Sequence, residues 1–365
     1  LHVRSRRQRQ MCIRDRHSHG EFLKALNNEE NNDRIWVLSL SQQARASLAS
    51  AFNVPISYMD SALAKIFIEH FNFNYVVSVN VGREITNREV NNEAHTTIKE
   101  NKGPLLLSVC PGWVLYVEKT HPELVDSMSK VKSPQGITGG LLSTLLGPNV
   151  YHLSIMPCFD KKLEAARDKE VVDCVITPKE VILMFEERGI DLNGVLNGID
   201  PTLRIKWTPK GWFEGNDYGW GGNFGSSSGG YAFEYLVERQ RLNEQSEIKI
   251  IKGRNNDIYE LQLITLNGEV ISRTGVVNGF KNIQNLVRKL KPDTTDKPVS
   301  SLLARRRRGK AGGGIDPEQA TVDLSKCEIL EIMACPQGCI NGGGQIKAPE
   351  GTLNDSWIES VREKY

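Results

Sequence analysis

The chain has few cysteines and almost no net charge for its length. Seven cysteines in 365 residues are too few for a secreted disulfide scaffold and are typical of a reducing compartment. The formal net charge is only +2, which gives no reason to expect nucleic acid or a membrane surface as the main partner. We therefore predict a cytoplasmic protein that binds neither nucleic acid nor membrane.

Long apolar runs are also missing. No uninterrupted run approaches the roughly 18 to 20 residues of a membrane span, and no apolar core of a secretory signal lies near the N-terminus. The segment Gly225-Ser-Ser-Ser-Gly-Gly230 lacks the Gly-Lys-Ser/Thr ending of a phosphate loop, which excludes a nucleotide site there. The 39% of hydrophobic residues is nevertheless enough for a large core or two lobes.

Two cysteines near the end of the chain carry the clearest chemical signal. The apolar run Ile329–Met333 predicts a buried strand, and Cys335 and Cys339 follow it among several glycines. Glycines allow backbone N–H groups to approach sulfur, and a helix start would stabilise thiolate. The spacing alone fits an iron–sulfur cluster and a structural zinc site equally well, and it supplies only half of either.

The other half lies upstream. Cys110 ends the apolar run Leu105-Leu-Leu107, and Cys158 ends the run Tyr151-His-Leu-Ser-Ile155. In open α/β sheets ligands collect at the ends of strands, so thiols that are distant in sequence can converge there. Four thiolates suffice for a [4Fe–4S] cluster or for tetrahedral zinc.

Three segments resemble the signature segments of the iron-only hydrogenase catalytic domain. They are Ser108-Val-Cys-Pro-Gly-Trp113, Met156-Pro-Cys-Phe-Asp-Lys-Lys-Leu-Glu164 and Met333-Ala-Cys-Pro-Gln-Gly-Cys-Ile-Asn-Gly-Gly-Gly-Gln345. The likeness extends from about Arg34 to Tyr365. It implies that Cys110, Cys158, Cys335 and Cys339 hold one [4Fe–4S] cluster, and that Cys339 is also the position that bridges to a two-iron subsite in hydrogenases.

The same resemblance assigns three residues to the two-iron pocket. Lys161 matches a lysine that contacts a ligand of the two-iron unit, and Ser133 and Gln135 match residues that line its pocket. Simpler alternatives stay open: Lys161 fits a helix surface, and Ser133 before Pro134 fits a helix N-cap.

One position departs from hydrogenases. Those enzymes carry two consecutive cysteines in the first segment, and the earlier one, which delivers protons, is Val109 here. Valine cannot exchange protons, and such general acid/base help is commonly worth roughly 10² to 10⁴ in rate. We therefore predict no enzymatic hydrogen turnover, although a hydrogenase-type oxidoreductase is kept as an alternative.

The Ser-x-Cys-Pro-Gly-Trp form resembles the non-hydrogenase eukaryotic branch, the cytosolic iron–sulfur assembly factors similar to nuclear prelamin A recognition factor. This resemblance implies cluster transfer or scaffolding for apoproteins, within a targeting complex that contains a β-propeller subunit. A nuclear location with prelamin binding is the further alternative. The branch carries four N-terminal cysteines for a second cluster, but only Cys12 precedes Cys110. We expect the chain to be truncated at both ends.

We predict a two-lobed α/β fold, each lobe a mostly parallel sheet flanked by helices, like the iron-only hydrogenase large subunit. The expected divisions are a disordered or non-native leader (1–20), two lobes (21–150 and 151–290), a flexible basic insert (291–314) and a cluster-binding segment packing on both lobes (315–365). The insert holds Arg305-Arg-Arg-Arg308, which fits either a docking patch or a solvated loop.

Overall fold

The computed structural model describes residues 18–100, 103–168, 170–212, 218–222, 224–253, 255–290 and 322–365. The predicted insert 291–314, with Arg305–Arg308, and the predicted leader up to residue 17, with Cys12, lie outside these residues. Residues 18–20, which we predict to belong to the leader, instead begin helix α1 (Ser18–Leu26), and Ser18 is buried there. Its backbone N–H donates to the Glu180 carboxylate at 2.8 Å, which ties the start of this helix to the folded chain.

The described residues form nine strands and thirteen α-helices. The strands are β1 (Ile35–Leu40), β2 (Tyr75–Ser78), β3 (Leu105–Leu107), β4 (Val150–Ile155), β5 (Cys174–Ile176), β6 (Ser246–Lys252), β7 (Ile258–Thr265), β8 (Val270–Asn278) and β9 (Ile329–Met333). After α1, the helices are α2 (Gln42–Ala51), α3 (Ile56–Phe71), α4 (Asn80–Lys99), α5 (Pro111–Thr120), α6 (Pro134–Leu146), α7 (Asp160–Arg167), α8 (Pro178–Glu187), α9 (Leu192–Leu196), α10 (Leu203–Lys206), α11 (Tyr231–Arg241), α12 (Phe280–Leu290) and α13 (Asn354–Lys364).

The first sheet is parallel throughout, in the order β2-β1-β4-β5. Strand β4 is buried along its whole length, as expected for a parallel strand covered by helices on both faces. An aromatic cluster fills one side of this sheet, with Trp36 stacked on Tyr151 at 4.1 Å between ring centroids. Phe22 of α1 lies fully buried against Trp36, which explains why α1 belongs to the fold.

The second sheet is mixed rather than mostly parallel. Its order is β3-β9-β8-β7-β6, with parallel pairing from β3 through β9 to β8 and antiparallel pairing from β8 through β7 to β6. The reason lies in the connections: β6, β7 and β8 follow one another through short turns, which can join only antiparallel neighbours. The predicted α/β class with two sheets is confirmed, and the parallel character is limited in this sheet to the strands near the cysteines.

Residue 150 does not separate the strands of the two sheets, as the predicted lobes 21–150 and 151–290 require. Strand β3 joins the second sheet although it precedes β4, whereas β4 and β5 complete the first sheet beside β1. The cause is that β9, which comes late in the sequence, pairs with β3. Strand β3 therefore joins the second sheet and not the sheet formed by its neighbours in sequence. The described C-terminal residues contact both halves, since β9 lies in the second sheet and α13 packs through Trp357 and Ile358 on Ala46 of α2.

Among the helices of the described residues, none is both long and apolar enough to cross a membrane.

Candidate metal centre

Each of the four predicted ligand cysteines follows the carboxyl end of a strand. Cys110 follows β3 and is the N-cap of α5, Cys158 follows β4, and Cys335 and Cys339 follow β9. Because β3 and β9 are parallel neighbours, their carboxyl ends lie side by side. Cys158 reaches the same place from the first sheet, so the cysteines collect where the two sheets meet.

The four thiols lie close enough together to influence one another's ionisation. Burial raises the pKa of Cys158, and nearby Cys110 and Cys339 raise it further. Burial likewise raises the pKa of Cys339, and Cys110 and Cys335 add to that increase. Four thiolates at this point would repel one another, so they require positive charge between them, which a metal centre supplies.

Backbone N–H groups partly offset the burial of Cys110. Burial raises the pKa of its thiol, whereas hydrogen bonds from the backbone of Ala334, Trp113 and Gly112 lower it. Gly112 and Trp113 belong to the first turn of α5, whose free N–H groups and positive dipole end favour a thiolate. The helix start expected beside the last two cysteines is therefore found at Cys110, and Cys339 opens only a short 3₁₀ helix.

One glycine brings two cysteine segments into contact. A Cβ atom on Gly342 would lie well inside van der Waals distance of the Pro157 carbonyl oxygen, next to Cys158. The Pro157 carbonyl also accepts a hydrogen bond of 3.0 Å from the Gly344 N–H. The Gly342–Gly344 run therefore lets the segment after Cys339 lie directly against the segment that carries Cys158.

The donor set of four thiols fits an iron–sulfur cluster. In the part of the chain that the structure describes, no cysteines are joined in a disulfide, so all four thiols are available as ligands. A [4Fe–4S] cluster takes one thiolate per iron, so four neighbouring thiols on its periphery meet its requirement.

A small cavity of about 50 Å³ adjoins Cys339. Of the three residues assigned to a two-iron pocket, Gln135 and Lys161 line this cavity, and so does Val109. The Gln135 side chain is almost fully buried, and within the described ranges its Oε1 atom has no hydrogen-bond partner. A polar atom in that position can serve a small bound group or water.

Ser133 does not line the cavity but supports Lys161. It occupies the N-cap position of α6 without capping it, and its hydroxyl instead donates to Glu164. The Lys161 ammonium donates to the Ser133 hydroxyl at 3.1 Å and to Glu164 at 2.7 Å, with the lysine side chain only 8% exposed. The surface alternative for Lys161 is therefore wrong, because the charge is buried and paired, and it also lowers the pKa of Cys158 and Cys339.

The sequence does not predict that the Gly225–Gly230 loop contacts the last cysteine. The segment lacks the ending of a phosphate loop, and in the structure the Ser228 hydroxyl oxygen accepts a hydrogen bond from the Cys339 backbone N–H at 3.0 Å. The role of Glu331, a fully buried carboxylate in β9, was also not predicted. An acidic residue in the middle of an otherwise apolar strand is a signal that could have identified this anchor.

Comparison with known proteins finds one matching family and relatives that share one name. Residues 34–343 match the family described as "Iron only hydrogenase large subunit, C-terminal domain". The "Cytosolic Fe-S cluster assembly factor NAR1" of Scheffersomyces stipitis is 42% identical over 96% of this chain and 72% of that protein. The protein of the same name from Debaryomyces hansenii is 43% identical over the same shares.

Solved structures with the same fold include hydrogenases. A variant of apo [FeFe]-hydrogenase HydA1 from Chlamydomonas reinhardtii superposes with a TM-score of 0.65 at 21% identity, over 95% of this chain and 88% of that one. The [FeFe]-hydrogenase structure HydA(deltaEFG) has a TM-score of 0.64 at 22% identity over the same shares. At this identity the likeness extends to the fold alone.

Proposed function

Because the chain belongs to the family of the iron-only hydrogenase large subunit, C-terminal domain, we propose that it is an iron–sulfur protein of the cytosolic cluster-assembly machinery. The observation that carries the proposal is the meeting of four thiols from both sheets, beside a helix start that favours thiolate. Relatives with 40 to 43% identity are named cytosolic Fe-S cluster assembly factors, which supports the same role.

The proposed ligands of one [4Fe–4S] cluster are Cys110, Cys158, Cys335 and Cys339. When bound, the cluster supplies an inorganic centre that can exchange electrons or be handed to an apoprotein. The protein's part is to hold the thiols in one place and to limit their contact with water: Cys110 is only 7% exposed, and Cys158, Cys335 and Cys339 are partly buried. The buried ammonium of Lys161 adds positive charge near Cys158 and Cys339, which offsets the negative charge of the ligands.

Hydrogen turnover is not part of the proposed function. Val109 is 8% exposed and lines the cavity beside Cys339, where a proton-carrying group would be needed. Its side chain can neither donate nor accept a proton. The cavity, with Gln135 and Lys161, is therefore proposed as a retained pocket without its acid/base group.

The proposed partners are a cytosolic targeting complex, reached through its β-propeller subunit, and the apoproteins that receive clusters. The names of the relatives support the assembly machinery as the setting. Pull-down with a β-propeller targeting subunit is expected to retain the protein, whereas pull-down with a farnesylated lamin tail is not. Retention by the lamin tail alone would favour the nuclear, prelamin-binding alternative.

Anaerobic reconstitution tests the cluster. We expect about four irons and four acid-labile sulfides per chain, with a reduced [4Fe–4S] signal in low-temperature electron paramagnetic resonance. Cys158→Ser is expected to lose most of the iron. Cys174→Ser is the matched control, because Cys174 lies in the same sheet but packs in the aromatic core, and this variant should keep the full iron content.

The same preparation tests the alternatives. One zinc per chain and no sulfide would contradict the cluster, and equal iron loss in both variants would contradict the ligand assignment. The reconstituted protein is expected to evolve no hydrogen from a chemical reductant. Sustained turnover would instead support the oxidoreductase alternative.

A further inference from the structure

The loop Gly225–Gly230, which we call the serine loop, lies directly against the segment that carries Cys335 and Cys339. The Ser227 hydroxyl donates to the Gln337 carbonyl at 2.6 Å, and the Ser228 hydroxyl oxygen accepts from the Cys339 N–H at 3.0 Å. Both hydroxyls crowd Gly338, where a Cβ atom would overlap them. Gly338 also has a positive φ of 83°, so the contact depends on glycine at this position.

Hydrogen bonds to Glu331 hold the serine loop in place. This carboxylate is completely buried in β9 and accepts hydrogen bonds from the Ser226 hydroxyl, from the Gly230 N–H at 3.3 Å and from the Ala232 N–H at 3.1 Å. The Ser226 hydroxyl oxygen in turn accepts from the Ser228 N–H at 3.2 Å. A charge buried in this way is retained only when its hydrogen bonds are satisfied, so the loop has one defined position.

A second side chain fixes the other face of the serine loop. Gln43 of α2 donates from its amide nitrogen to the Ser228 carbonyl at 2.8 Å. Ser228 is only 6% exposed. Its N–H, its carbonyl and its hydroxyl oxygen are therefore all occupied, and the orientation of its O–H proton is the remaining variable.

We propose that Ser228 is a positioning residue for the cluster, whose O–H donates to the Cys339 sulfur while its oxygen holds the Cys339 backbone. The 3.0 Å contact between the Ser228 oxygen and the Cys339 N–H places this buried hydroxyl beside the residue whose sulfur is a proposed ligand. A hydrogen bond to a ligand sulfur withdraws negative charge from it, so it favours the reduced cluster and strengthens retention of the thiolate. This inference rests on the proposed cluster and adds to it a residue that sets its reduction potential and its rate of loss.

Ser228→Ala tests the inference, with Ser227→Ala as the matched control. Ser227 is in the same loop and contacts the same segment, but its hydroxyl donates to a carbonyl and not to sulfur. In S228A we expect a more negative midpoint potential, measured by titration followed with electron paramagnetic resonance. We also expect cluster loss to a chelator about tenfold faster or more, which is the usual effect of removing a hydrogen bond to a charged group. In S227A the potential should stay at the wild-type value.

Ser228→Thr provides the conservative rescue, because it restores the hydroxyl. Its potential should return towards that of wild type, and this comparison also applies if S228A proves unable to fold. An S228A protein with four irons per chain but with wild-type potential and wild-type chelation rate would overturn the inference. An equal shift in S227A and S228A would also overturn it, since it would show a general effect of the loop. Absence of iron and sulfide from the wild-type protein would instead contradict the proposed function itself.

Discussion

At the residue scale, His152 shows how a buried polar side chain joins neighbouring strands. Its Nδ1 donates to the Val171 carbonyl at 2.7 Å, and its Nε2 therefore accepts from the Ser39 hydroxyl at 2.7 Å. Ser39 of β1 also contacts the Ser154 hydroxyl of β4 at 2.8 Å. The neutral imidazole thus links β4, β1 and the segment before β5, and it has room for only one ring proton.

This arrangement predicts a loss of stability in mild acid. Burial lowers the pKa of His152 below its ordinary value of 6.5, so the unfolded chain takes up a proton that the folded chain excludes. The contribution of neutral His152 to the free energy of unfolding is therefore complete above about pH 6.5. It is lost as the pH falls below that value, at up to about 1.4 kcal/mol per pH unit. Urea denaturation at pH 7, 6 and 5 measures how the free energy of unfolding changes with pH.

His152→Gln isolates this contribution, because glutamine keeps a donor and an acceptor but does not titrate. We expect H152Q to be less stable than wild type at pH 7 and to lose less stability between pH 7 and 5. His70→Gln, at an exposed position of α3, is the control and should keep the wild-type slope. A wild-type slope in H152Q would show that other groups cause the acid sensitivity.

At the element scale, the site depends on how closely two loops approach each other after β4 and β9. Gly342→Ala would place a methyl group against the Pro157 carbonyl, so the segment with Cys158 must move away from the segment with Cys339. We expect reconstituted G342A to bind less than half of the wild-type iron. Gly343→Ala is the matched control, since its Cβ would meet only the Phe159 ring at 3.9 Å, and it should bind the full amount. Equal iron contents in the two variants would contradict this role of Gly342.

The strands and the cysteines at their ends were predictable, whereas the pairing of strands was not. Apolar runs such as Tyr151–Ile155 and Ile329–Met333 mark buried strands because burial on both faces leaves little room for polar residues. No local feature of the sequence indicates that β9 pairs with β3, because that pairing depends on packing between segments distant in sequence. The signature segments predict the four cysteines as ligands, which stays a prediction, whereas the contacts of Ser228 and Glu331 could be found only in three dimensions.

At the scale of the whole molecule, the cysteines connect the two sheets. Cys158 extends from the first sheet, and Cys110, Cys335 and Cys339 extend from the second. A cluster held by all four would therefore link both sheets and stabilise the folded state over the unfolded chain, which cannot present the ligands together.

Thermal unfolding under anaerobic conditions measures this link. We expect the reconstituted protein to unfold several degrees above the same protein treated with chelator, because each kcal/mol of stabilisation raises the unfolding temperature by roughly 2–4 °C in domains of about 150–250 residues. The difference should disappear in Cys158→Ser and persist in Cys174→Ser. A reconstituted protein that melts at the temperature of its chelated form would show that the cluster does not join the sheets.

The position of β9 has a consequence for biosynthesis. All strands of the first sheet are contained in residues 35–176, so a nascent chain can complete that sheet while the ribosome is still translating. The second sheet must wait, because β9 lies between β3 and β8 and is made after both of them. Cys335 and Cys339 leave the ribosome later still, and iron and sulfide can therefore be installed only after the strands of both sheets have been synthesised.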